Sequence, residues 1–156
     1  MVEHMIAIAL LIFGIVVLLG LVGQTNRKLV RSQAHAAMAA AGQSFLESLR
    51  FVKWDENTTT PPAYTATRSV TLGPDTLESV ESDFDDIDDY HGYTKSDGTY
   101  SYACTVIYVD MNDNESVTAA GGTTNFKQIS VIVKRLSIPG EEEKVMLIRT
   151  NGGINE

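Results

Sequence analysis

Residues 1–24 read MVEHMIAIALLIFGIVVLLGLVGQ, and this stretch decides the architecture. From Met5 to Val22 no residue carries a charge or a strong polar group. At ~1.5 Å of helical rise per residue, the run covers nearly the ~30 Å hydrocarbon core of a bilayer. A carboxylate, Glu3, stands at its mouth. A cleavable signal peptide would carry Lys or Arg there, ahead of a shorter apolar core. In this chain the bases come afterwards, at Arg27, Lys28 and Arg31. Bases so placed would hold the following domain in the cytoplasm, yet that domain is acidic and Thr-rich, as exported domains are. A basic leader that once preceded Met1 and has been removed reconciles the two observations.

The periodicity continues beyond the apolar run. Val30, Ala34, Ala37, Ala41, Phe45, Leu49 and Val52 step by threes and fours, which marks one face of a helix. Arg31, Gln33, Ser44, Glu47 and Lys53 mark the other. No proline occurs before Pro61, so the spacing predicts one helix from near the start to about Trp54, roughly 80 Å long. Gly14, Gly20 and Gly23 interrupt its apolar half, each at ~1 kcal/mol of helix propensity relative to Ala. They either ease helix contact or let the helix unwind locally. We expect a break between Gly14 and Gly23 in an assembled state, with helix resuming before Leu29. The chain thus divides into an apolar helix half (1–24), an amphipathic half (25–54) and a globular head (55–156).

Charge separates these parts. The first 54 residues carry two acids and five bases; the rest carries eighteen acids and seven bases. An acidic head repels phosphates, so direct nucleic-acid binding is not expected. Pro61 and Pro62 end any helix, and the threonines before them, Thr58, Thr59 and Thr60, lie in an exposed connector with a composition that accepts O-glycans. Asn57 and Asn114 stand in N-glycan sequons. Then comes DTLESVESDFDDIDDYHGY (75–93). Asp75 and Glu78 have capping-box spacing, and Leu77, Val80, Phe84 and Ile87 predict a short amphipathic helix or a broken turn. Asp85, Asp86, Asp88 and Asp89 crowd its outer side, either as a solvated face or as ligands that calcium would relieve of repulsion. No EF-hand register fits them. Otherwise no cofactor is expected.

Three strands follow. YSYACTVIYVD (100–110) is aromatic and β-branched, FKQISVIVKRL (126–136) alternates with Ile129, Val131 and Val133 on one face, and KVMLIRT (144–150) is the third. Three antiparallel strands leave one apolar face to cover, and the stripe Ala37, Ala41, Phe45, Leu49, Val52 is the available cover. The expected fold is α+β, a long N-terminal helix packed on a small antiparallel sheet. Cys104 is the single cysteine, so no intrachain disulfide exists, and a small buried core position is its expected place. His4, His35 and His91 have no nucleophile or ligand partner at useful spacing, and no phosphate loop is present. The sequence therefore offers no catalytic residues.

VEHMIAIALLI (2–12) resembles the mature N-terminus of type IV pilins and of type II secretion pseudopilins. Those chains open with a short apolar stretch, an acid, and an unbroken apolar helix that continues as an amphipathic stem. The resemblance places Glu3 on the glutamate that sets subunit register, and Gly20 where many members have a helix-breaking proline. The family glutamate is fifth in the mature chain and here it is third. The resemblance thus implies two residues ahead of Met1 or a differently processed N-terminus. It further implies a helical homopolymer in which the N-terminal ammonium of one copy, here at Met1, neutralises Glu3 of the next. Before assembly the subunit would wait as a single span in the inner membrane. A prepilin peptidase, an extension ATPase and a platform protein would then build an extracellular filament. A pseudopilin acting as a short piston in secretion, and a single-span anchored domain, remain the alternatives.

Overall fold

The computed structural model describes residues 2–55, 68–111, 117–138 and 140–151. Met1, the threonines Thr58, Thr59 and Thr60, and both sequon asparagines lie outside them. Helix α1 runs unbroken from Val2 to Leu49. The chain forms two compact units, one through Ala37 and one from Met38 onward. The first is helical throughout its described length, and all its large apolar side chains, from Val2 to Val30, are exposed. The single chain is helical through Gly14, Gly20 and Gly23, and a Cβ at any of the three would meet open space.

In the second unit the last turns of α1 cover an antiparallel sheet. Its strands are β1 (Thr94–Ser96), β2 (Tyr100–Met111), β3 (Val117–Ala119), β4 (Phe126–Arg135) and β5 (Glu142–Thr150). The order is β1-β2-β4-β5, with β3 paired to the far end of β2. The three long strands match the expected ones. The two three-residue strands are additions, too short for any period to show. Alternation turns Tyr102, Cys104 and Val106 of β2, Ile129, Val131 and Val133 of β4, and Val145 of β5 into the core.

The helix presents Met38, Gly42, Phe45, Leu46 and Leu49 to that core, whereas Ala37, expected at the contact, is exposed. The contact face is thus rotated from the alanine stripe towards the larger side chains, which bury ~1.5–3 kcal/mol each. Gly42 sets the approach: a Cβ there would stand 2.5 Å from Val145 Cγ2 and 3.0 Å from Val133 Cγ2. The helix also stops at Leu49, five residues short of Trp54. Arg149 on β5 donates to the carbonyls of Leu49 (2.9 Å) and Val52 (2.7 Å). It thereby satisfies groups that a helix end leaves without partners and complements the negative end of the dipole. The chain then turns and buries Trp54.

Residues 75–87 take the broken-turn alternative. Glu78 accepts from the Asp75 N–H at 3.1 Å and donates its own N–H to the Asp75 carbonyl at 3.0 Å, but no helix follows. Leu77 is exposed, and only Phe84 and Ile87 of the apolar set reach the core. Phe84, Tyr90 and Tyr93 pack edge to face, with ring centroids 5.1–5.7 Å apart. Their ring quadrupoles favour this arrangement, and it fastens the acidic turn to the sheet.

Candidate functional site

The membrane-facing candidate is the first unit. Among the described residues, α1 is the one helix long and apolar enough to cross a membrane. Glu3 lies in its first turn, exposed, where the positive end of the helix dipole favours a carboxylate. The apolar surface that follows has no cover within the unit.

The acidic turn is built differently from a solvated face. Asp86, Asp88 and Asp89 are buried, and of the four candidate aspartates only Asp85 is exposed. Asp89 accepts from the N–H groups of Asp85 and Asp86, both at 3.0 Å. Asp86 accepts from the Asp88 N–H at 2.8 Å. These bonds fold the turn that becomes a short 3₁₀ helix over Asp88–Tyr90. Glu78, Asp85 and Asp89 each bring one oxygen within 4.8 Å of the other two, so this trio, rather than the four aspartates as one set, has the spacing of cation ligands. Burial pushes the Glu78 carboxyl up, and the hydrogen bond and charge of Asp89 add to the shift against the Asp75 N–H. Nearby Glu81 is also partly buried, but the Tyr93 hydroxyl (2.6 Å) and Lys95 (3.1 Å) more than compensate and hold its carboxyl below the usual range.

Asp88 has another partner. Three core-facing side chains sit in register across the sheet: Tyr108 of β2 opposite Lys127 of β4, and Lys127 opposite Arg149 of β5. Lys127 is fully buried. Its Nζ donates to Asp88 Oδ1 at 2.6 Å, to the Trp54 carbonyl at 2.7 Å and to Asp55 Oδ2 at 3.4 Å. The Trp54 ring lies 4.1 Å from Nζ, and the Tyr108 ring 5.5 Å. Asp55 in turn accepts from the N–H and hydroxyl of Ser69, and Tyr108 donates to the Ser69 carbonyl at 2.7 Å. The row Tyr108–Lys127–Arg149 therefore receives the chain as it leaves the helix.

No family model, no curated protein and no solved structure matches this chain. The site rests on its own geometry. That geometry separates two kinds of residue: Glu3 with its apolar surface, which faces outward, and the Lys127 group, which is closed upon itself. Cys104 is buried in the core as expected, and burial raises its thiol to about 12, so it stays protonated and inert. His91 is taken up by the sheet, its Nδ1 lying 2.6 Å from the Val106 carbonyl. Two shallow grooves are lined by Ala41, Phe45, Lys95 and Asp97, and by Val70, Leu72, Tyr108 and Ala120.

Proposed function

We propose that this chain is a structural subunit of a type IV pilus-like filament. The observation that carries the reading is a helix whose first 30 residues expose an unbroken apolar surface with a single acid in its first turn, and a head whose core draws only on the helix from Met38 onward. Lipid would cover that surface before assembly, and the helices of neighbouring copies afterwards, with burial of apolar area as the driving force. An isolated carboxylate is expensive among apolar helices. Pairing Glu3 with the terminal ammonium of an adjacent copy removes that cost only at the correct stagger, so the charge sets register. The acidic heads would form the outer shell. Processing by a prepilin peptidase and extension by a motor and platform belong to this reading.

The bases Arg27, Lys28 and Arg31, just past the apolar run, favour a second one: a single-span domain that remains in the membrane. Shearing cells separates the two. Filaments in the supernatant that contain this chain are expected; a chain found wholly in the membrane fraction, with no sheared fibre, refutes the filament.

A further inference from the structure

The head has no disulfide, and its charged centre has the makings of a different covalent link. Lys127 and Asp55 side chains are wholly buried and that of Asp88 is 3% exposed. Trp54 and Tyr108 wall off the amine. Holding an ion pair in such a place costs several kcal/mol per ion before the mutual attraction is counted. An amide between the same two groups carries no charge at all. We propose that Lys127 Nζ and the Asp88 carboxyl condense into an intramolecular isopeptide bond.

The geometry selects the pair. Nζ lies 2.6 Å from Asp88 Oδ1, which puts the carboxyl carbon roughly 3–3.5 Å away, the near-attack range. Asp55 is farther, at 3.4 Å, and both its oxygens are engaged by Ser69. Asp88 is held in place from behind, its own N–H fixed by Asp86. Asp55 is therefore the proton carrier and Asp88 the electrophile.

The reaction balances without an oxidant or a co-reactant. Ammonium and carboxylate give amide and water. Asp55 takes a proton from Nζ, and the freed lone pair adds to the Asp88 carbon to form the N–C bond. Asp55 returns that proton to an Asp88 oxygen, then carries the second nitrogen proton to the same oxygen. The C–O bond breaks and water leaves. Fixed proximity replaces a bimolecular encounter, and the closed pocket withholds the water that hydrolysis would need. The link joins the acidic turn to β4 across 39 residues of sequence separation.

Mass spectrometry of the full chain, extracted in detergent, denatured and digested with trypsin, tests this directly. An amidated Lys127 cannot be cleaved. The expected product is a branched species, peptide 69–95 joined to peptide 96–134, lighter than the two together by one water. Lys127→Arg should release peptide 69–95 on its own. Asp88→Asn should give the same branched product, now with loss of ammonia. Asp55→Asn should slow its appearance by about a hundredfold or more, in the range of a lost acid–base group, with the circular dichroism of the fold retained. Quantitative cleavage after Lys127 in the natural, folded chain overturns the proposal whatever the variants do.

Discussion

Through Ala37 every large apolar side chain among the described residues is exposed, and from Met38 onward the chain buries a lysine and four aspartates. The two units break the ordinary distribution in opposite senses, and the difference lies in where the partners are. Lys127, Asp55 and Asp88 meet one another inside the chain, so their burial is settled by folding alone. The apolar surface of the first unit finds no cover among the described residues. At ~25 cal/mol per Å² its exposure to water is costly, and only lipid or other helices relieve it. On the proposed reading, stability belongs to the second unit and association to the first.

Glu3→Ala presses hardest on that division. On the filament reading, sheared filament should fall by about tenfold or more, the factor that ~1.4 kcal/mol per subunit contact supplies. Membrane insertion and head unfolding should not change. A melting curve that moved with Glu3 would tie the two units together and break the comparison. Within the head, Lys127→Met removes the cation that Asp55 and Asp88 share and should cost about 3–5 kcal/mol of head stability. Denaturant unfolding of the chain in detergent measures it, and partition into the membrane should stay the same.

Glycines sharpen the contrast further. Gly42→Ala forces a methyl to within 2.5 Å of Val145, and overpacking of that kind costs about 1–3 kcal/mol. Gly14→Ala meets nothing and should add about 1 kcal/mol of helix propensity. The unfolding midpoint of the head should thus fall with Gly42→Ala and stay unchanged with Gly14→Ala, whose gain is confined to the first unit. The smallest effect concerns pH. The folded-state value of Glu81 lies below its ordinary one, so its contribution is present above the unfolded value of ~4.3 and is lost as pH falls through the folded value. Glu78 is raised and acts oppositely: it favours folding at low pH and loses that contribution as pH rises past the unfolded value. Glu81→Gln should therefore make the head less sensitive to acid in the window below pH ~4, whereas Glu78→Gln should remove the gain in stability that the head shows as pH falls towards ~4.3 from above. Melting temperatures at pH 3, 4 and 6, chosen to bracket the carboxylate range, check both signs.

Much of the fold was legible because it is periodic. The helix shows in the run from Met5 and in the spacing of Val30 to Leu49, and the long strands in their alternation. The buried charges were harder to read, although one signal was present. Lys127 shares the parity of Ile129, Val131 and Val133, and a charge on the core face of a strand calls for partners. Which partners they are depends on a turn some forty residues earlier in sequence, and no local pattern carries that. The density of DFDDIDDY suggested solvent, yet three of its aspartates turn inward to bond backbone N–H groups or Lys127. The helix end escaped for the same reason: what stops it at Leu49 is Arg149, a hundred residues away in sequence.

That arginine also fixes a mechanical path. A pull on α1 delivered from its N-terminal side arrives at Leu49. The two Arg149 hydrogen bonds there hand the tension sideways to β5, and the long ladder between β5 and β4 shares it across the sheet. A head gripped in this way is held through its packed core and again at its edge, so the strand that comes last in the chain shares the strain that reaches the helix end.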